Sequence, residues 1–87
     1  MRQLSYLVLL EKSPRSDWGA SVPDLPGCVA VAKTVDAALR RIHIAIEMHL
    51  RGLREDGQPL PRPKVRSIRP NLRKGSCEFF ATVQVAA

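Results

Sequence analysis

Alternation of apolar and polar residues predicts four β-strands in this chain. In Gln3–Lys12 every second residue from Leu4 to Leu10 is apolar, and Leu7 and Leu9 make the other face partly apolar too. An apolar run on both faces is typical of a central strand. The other alternating or small apolar stretches span residues 17–22, 28–32 and 77–85. The first two strands are close enough in sequence to form an antiparallel hairpin.

Apolar residues recur at helical spacing between the third and fourth strands, which predicts one long helix over Val35–Glu55. Thr34 precedes it as an N-terminal cap, and Gly57 follows it as a C-terminal cap. A second, shorter apolar row holds Ile44 and Met48. An exposed apolar row on a small domain often marks an interface, so we predict that this row takes part in self-association.

The resulting order is β-β-β-α-β, within one domain that covers residues 1–87. We therefore predict an α+β fold, in which one four-stranded mixed sheet carries the long helix on one face. A chain of 87 residues buries a small core and is marginal alone, which favours a homo-oligomer, either a dimer or a tetramer.

A turn rich in proline separates the second and third strands. Pro23, Pro26 and Gly27 exclude both a helix and regular β-sheet hydrogen bonding there, so we interpret them as structural residues of one tight bend. Asp24 has two interpretations: it hydrogen-bonds its own turn, which is the commoner use of such a residue, or it forms an ion pair with a basic partner.

Charge divides the chain into two unequal parts. Residues 1–61 hold eight Lys and Arg against seven Asp and Glu, whereas residues 62–87 hold six against one, which places +5 of the net +6 there. Any electrostatic partner would be met at this end of the sequence. Its basic residues are Arg62, Lys64, Arg66, Arg69, Arg73 and Lys74.

Residues for catalysis or metal binding do not form a recognisable set. His43 and His49 lack the four-residue spacing of a helical zinc pair, and the carboxylates suggest no acid/base pair. Cys28 and Cys77 are too few for a disulfide framework, and we expect both to be buried, reduced thiols. We expect no cofactor, no metal and no enzymatic activity. Without a signal peptide or a membrane-spanning run, we expect a cytoplasmic protein.

Three motifs together resemble the HicB-like antitoxin family: a P-D-L-P-G-C run at residues 23–28, a T-x-x-x-A helix start at Thr34, and a D-G-x-x-x-P exit from Asp56. The resemblance implies a truncated ribonuclease-H-like fold and a protein that binds and masks a small HicA-type toxin that cleaves mRNA. We expect toxin contacts near Trp18, Asp24 and Leu25. Many members carry a further DNA-binding domain, and we expect no such role from these residues alone.

Two other functions remain open from the sequence. The basic segment could make salt-sensitive, sequence-independent phosphate contacts with nucleic acid. An enzyme of the ribonuclease H type is a third hypothesis, which divalent-metal-dependent nuclease activity would support.

Overall fold

A computed structural model describes residues 3–67 and 77–86 of the chain. The elements follow the predicted order: β1 (Gln3–Lys12), β2 (Trp18–Ser21), β3 (Val29–Ala32), α1 (Val35–Glu55) and β4 (Cys77–Ala86). The α+β class and the helix on one face of a four-stranded sheet are confirmed. The strand and helix limits agree with the sequence pattern to within one residue, as alternation and capping predict.

The prediction of a mixed sheet is wrong, because every pairing is antiparallel. The strand order is β3-β2-β1-β4, and β4 pairs along the whole length of β1. Pro61 accepts a hydrogen bond from Tyr6 near the start of β1, whereas Cys77 pairs with Lys12 at its end. Pro61 therefore lies near one end of β1 and Cys77 at the other, and β4 runs antiparallel to its neighbour.

Local hydrogen bonds fix both ends of α1. The hydroxyl of Thr34 accepts from the amide of Ala37 at 3.1 Å, as the capping prediction requires. At the other end Gly57 has a φ of 70°, and its amide donates to the carbonyl of Arg54. The amide of Gln58 donates to Leu53, which completes a Schellman motif.

The core lies between α1 and one face of the sheet. From β1 it takes Tyr6, Val8 and Leu10, all with at most 1% of their surface exposed. The helix contributes the residues at helical spacing, Ala38, Ile42, Ile46 and Leu50, which are also buried. Among the described residues, no helix is long and apolar enough to cross a membrane.

Candidate protein-binding surface

The P-D-L-P-G-C run forms two consecutive β-turns. Leu25 donates its amide to the carbonyl of Val22, and Cys28 donates to Leu25, both at 3.0 Å. Pro26 and Gly27 occupy the central positions of the second turn, and Gly27 has a φ of 86°. Proline followed by a residue with positive φ is the signature of a type II turn. The geometry thus explains the proline and glycine pattern in local terms.

Asp24 does not hydrogen-bond its own turn, so that interpretation is wrong. Its Oδ2 atom accepts from the backbone amides of Lys64 at 2.9 Å and Val65 at 3.0 Å. We call residues 58–67 the strap, since they follow α1, pass the turn and lie beside the first half of β1. One carboxylate therefore holds two consecutive backbone donors of a segment 40 residues away.

Tyr6 provides the second attachment of the strap. Its hydroxyl donates to the carbonyl of Pro61, while its ring is fully buried in the core. Burial, and secondarily the charge of Asp24, raise the pKa of this phenol above its ordinary value. Leu60, directly before the first of these attachments, packs on the core. The strap is thus part of the folded structure along residues 60–65.

Two of the predicted toxin contacts, Leu25 and Trp18, differ from each other in how far they are buried. Leu25 is fully buried in the core, so the expectation that it contacts a partner is wrong: the double turn directs its side chain inward. Trp18 is half-buried and stacks on Phe79, with ring centroids 5.3 Å apart and planes inclined by 14°. Trp18 belongs to β2 and Phe79 to β4, so the two rings stack across the C-terminal end of β1, which lies between these strands. Part of the Trp18 ring remains accessible.

Several apolar side chains lie on the sheet face that α1 leaves open. Strand register places Leu7 and Leu9 of β1 on this face, together with Val29 and Val31 of β3 and Phe80 of β4. Val29 and Val31 are 63% and 56% exposed, and Phe80 is 41% exposed. We call these five residues the open face. Sequence analysis noted the apolar residues of β1 on this side but missed those of the two edge strands.

The two edge strands differ in how the helix protects them. On β3, Arg41 donates to the outward carbonyl of Val31 at 2.5 Å. On β4, the Nε2 atom of His43 lies 3.2 Å from the carbonyl of Gln84, and its Nδ1 atom lies 2.9 Å from a carboxylate oxygen of Glu47. Whereas β3 has four residues, β4 has ten. Among the described residues, the printed helix contact to β4 is at Gln84, near the end of this long edge strand.

A groove runs between α1 and this open edge. It has a volume of about 560 Å³, and its lining includes Leu39 and Ile44 of the helix and Ala81 and Val83 of β4. Ile44 and Met48 are both exposed, as predicted. They differ in position, however, because Ile44 lines the groove and Met48 does not. Their part in self-association remains a prediction.

The strap alternates in its exposure. Pro61, Pro63 and Val65 are half-buried, whereas the basic residues between them, Arg62, Lys64 and Arg66, are exposed. This period of two is visible in the sequence and could have predicted an extended segment lying on the domain. The remaining members of the predicted basic patch, Arg69, Arg73 and Lys74, lie outside the described residues.

Within residues 3–67 and 77–86, no group of three or more His, Cys, Asp or Glu is placed to hold a metal ion. The two cysteines have no disulfide bond. Cys28 is buried, which raises the pKa of its thiol. Cys77 is exposed at the start of β4, so the expectation that both thiols are buried is wrong for Cys77.

Comparison with known sequences gives a family match over most of the chain. A family model described as the HicB-like antitoxin of bacterial toxin–antitoxin systems matches residues 6–82. An uncharacterised 14.9 kDa protein of Haemophilus phage HP1 is 35% identical over 66% of this chain, and the match spans 42% of its own length. A UPF0150 protein of Synechocystis is 36% identical over 67% of this chain and 73% of its own.

Solved structures share the fold. The N-terminal domain of the Burkholderia pseudomallei antitoxin HicB superposes with a TM-score of 0.75 at 22% identity, over 97% of this chain and 100% of that domain. The longer HicB antitoxin of the same organism gives a TM-score of 0.71 at 23% identity, over 94% of this chain and 63% of its own. A chain of a HicA3–HicB3 toxin–antitoxin complex superposes with a TM-score of 0.66 at 22% identity, over 88% of this chain and 94% of its own.

Proposed function

Because the chain belongs to the HicB-like antitoxin family, we propose that it is a non-catalytic binding module that masks a small HicA-type toxin, an mRNA-cleaving protein. The family match over residues 6–82 carries this proposal. A structural relative that occurs in a HicA3–HicB3 complex supports a protein partner of this kind. Exposed apolar side chains on the sheet support a binding role as well.

The open face is the surface we propose for the toxin. Three of its residues, Val29, Val31 and Phe80, are large apolar side chains that remain exposed to solvent. Large exposed apolar side chains grouped on one face of a small domain mark a protein interaction site more often than a packing defect. Trp18 stays a proposed contact, at the rim of the sheet. Asp24 is reassigned as the residue that positions the strap beside this face.

The test is co-expression with any small basic protein encoded next to this chain, followed by size-exclusion chromatography and an RNA-cleavage assay. We expect a stable complex in which cleavage is suppressed. Val31→Lys should weaken the complex at least about tenfold, because it places a charge in an apolar contact. Met48→Lys is the control, since Met48 is equally exposed and lies on the helix side.

Two results would contradict the proposal. If no complex forms and cleavage continues, the chain is not the antitoxin of that toxin. If the complex forms and both lysine variants bind alike, the antitoxin role stands and the open face is not its contact surface.

The exposed basic row favours a second candidate function, nucleic-acid binding. Arg62, Lys64 and Arg66 point outward from the strap at alternate positions. About three phosphate contacts to a single strand would give a slope of about −2 for the logarithm of the binding constant against the logarithm of salt concentration. Fluorescence anisotropy with a labelled single-stranded RNA tests this. Binding that is independent of salt, or unchanged in the triple alanine variant, would exclude it.

A further inference from the structure

We infer that a cavity between the strap and the first half of β1 binds a carboxylate group, carried by an acidic residue that a protein partner presents next to apolar ones. The inference rests on the proposed antitoxin function for the identity of that partner, the toxin. The chemistry comes from the side chains that line the cavity, from its position beside the open face, and from the charge of the strap.

The cavity lies on the same side of the sheet as the open face. It has a volume of about 490 Å³, and its lining includes Ser5 and Leu7 of β1. These two side chains point away from the core, because the alternate residues Tyr6 and Val8 are buried in it. Thr82 of β4 pairs with Leu7 in the strand register, so it lies on the same face and lines the cavity too. The strap forms the remaining wall.

Four side chains of the lining carry hydrogen-bond donors, and all four are exposed: Gln3, Ser5, Thr82 and Arg66. The guanidinium of Arg66 can only donate, whereas the two hydroxyls and the amide can either donate or accept. Within residues 3–67 and 77–86, no acidic side chain lines the cavity to neutralise this guanidinium. Arginine binds a carboxylate with two parallel hydrogen bonds, and neighbouring neutral donors add to such a site. The lining is therefore complementary to a carboxylate.

Asp24 holds the strap where Arg66 becomes part of this lining. Its carboxylate accepts from the amides of Lys64 and Val65, the two residues directly before Arg66. Val65 is half-buried and itself lines the cavity. Because the backbone is already fixed at this point, a ligand does not have to order it on binding, which lowers the cost of association.

The position of the cavity favours a protein as the source of the carboxylate. Leu7 belongs both to the open face and to the cavity lining, so the two surfaces are continuous. Phe80 of the open face lies two residues from Thr82 on the same strand. One protein segment can therefore place apolar side chains on the open face and an acidic side chain in the cavity. Among the described residues that line the cavity none is aromatic, so a nucleic-acid base has no ring there to stack on.

The charge of the chain leads to the same partner chemistry. The protein has a formal net charge of +6, and the exposed residues Arg62 and Lys64 precede Arg66 on the strap. Like charges that meet across an interface weaken it and slow association. A toxin that covers the open face beside this row therefore needs an acidic residue opposite it. The cavity is where that residue binds.

The first test uses the chain alone and two capped tripeptides as probes. One contains glutamate, leucine and valine, and the other contains glutamine in place of glutamate. Titration followed by ¹⁵N NMR should show the glutamate peptide binding at least about tenfold more tightly, the effect of one charge-assisted hydrogen bond. The amides of Ser5, Leu7 and Thr82 should shift, and added salt should weaken the glutamate peptide more than the glutamine peptide.

The matched pair of variants is Arg66→Gln and Arg62→Gln. Both remove one exposed positive charge from the strap, but only Arg66 lines the cavity. Arg66→Gln should abolish the preference for the glutamate peptide and weaken the toxin complex at least about tenfold. Arg62→Gln should change either affinity by less than about twofold, as an exposed charge outside the contact does. Circular dichroism establishes that both variants are folded.

Three results would overturn the inference: neither peptide shifts the cavity amides, both peptides bind alike, or the two variants lose the same affinity for the toxin. A single-stranded RNA that loses affinity in Arg66→Gln but not in Arg62→Gln, and displaces the glutamate peptide, would assign the cavity to nucleic acid instead. Failure of the antitoxin proposal is distinguishable from these results. In that case no toxin complex forms, while the chain still prefers the glutamate peptide.

Discussion

Asp24→Ala should release the strap from the domain. The substitution removes the acceptor of two backbone amides, those of Lys64 and Val65. A hydrogen bond to a charged group contributes about 1.5–3 kcal/mol, and partial exposure reduces this to about 1 kcal/mol for each bond. The expected loss is therefore about 2 kcal/mol. Expressed as a local opening equilibrium, this is about a 30-fold larger open fraction of the strap.

Limited trypsin digestion with mass spectrometry measures this opening directly. The bond between Lys64 and Val65 joins the two residues whose amides Asp24 holds, and it is a trypsin site because no proline follows the lysine. Under native conditions the rate of cutting tracks the open population. We expect cutting there to be about 30 times faster in Asp24→Ala. Asp24→Asn keeps an oxygen acceptor without the charge, so its rate should lie between the two.

The matched control is Asp17→Ala, which removes the same charge from an exposed position outside these contacts. Equal cutting rates at the Lys64–Val65 bond in the two alanine variants would refute the reasoning. Equilibrium urea unfolding is the second readout. With a slope of about 1 kcal/mol per molar urea, the midpoint of Asp24→Ala should fall by up to about 2 M, while that of Asp17→Ala should barely move.

Three further predictions concern the folded state as a whole. Burial raises the pKa of Tyr6 above its ordinary value of 10.0, so the unfolded chain releases the phenol proton first. The contribution of Tyr6 to stability should therefore be complete below pH 10 and be lost as pH rises through the folded pKa, and Tyr6→Phe should remove this part of the alkaline fall in urea titrations. Gly27→Ala should lower the free energy of unfolding by about 1–2 kcal/mol, because the φ of Gly27 is 86°. Gly52→Ala should raise the free energy of unfolding by about 0.5–1 kcal/mol, because Gly52 lies inside the helix with open space around it. Ile42→Ala should lower the free energy of unfolding by about 2–5 kcal/mol, because Ile42 is fully buried. Ile44→Ala should lower it by less than about 1 kcal/mol, because Ile44 is exposed.

Each of these predictions has a clear contrary result. An alkaline stability profile that is identical in wild type and Tyr6→Phe would show that the phenol is not linked to folding. Calorimetry in which the two glycine variants shift the melting temperature in the same direction would contradict the turn assignment. Equal unfolding free energies for the two isoleucine variants would mean that α1 packs on the sheet through a different face.

Helix limits could be predicted from the sequence because capping is a local property. Thr34 needs an amide three residues away, and Gly57 needs only its own left-handed conformation. Strand limits follow from alternation in the same way. The direction of β4 could not be predicted, because it depends on where the chain between Pro61 and Cys77 returns to the sheet. Neither alternation nor spacing encodes that return.

The binding surface was predicted less well than the fold, and for a physical reason. Local rules assigned Asp24 to its own turn, but its hydrogen-bond partners lie 40 residues further along the chain. Leu25 was expected among the toxin contacts of this turn, yet the double turn directs its side chain into the core. Residue type suggests what a turn can form. It does not tell which side chain the turn directs inward.

Pairing of the first and last strands has a consequence for how the chain folds. Ten residue pairs join β1 to β4, and each spans more than 60 positions of sequence. Such contacts require a long loop to close before they give any stabilisation, which slows folding. During synthesis β1, β2, β3 and the helix leave the ribosome while one side of β1 still lacks its neighbour. Until residues 77–86 follow, β1 is an unpaired apolar edge, and the nascent chain is open to misassembly over that interval.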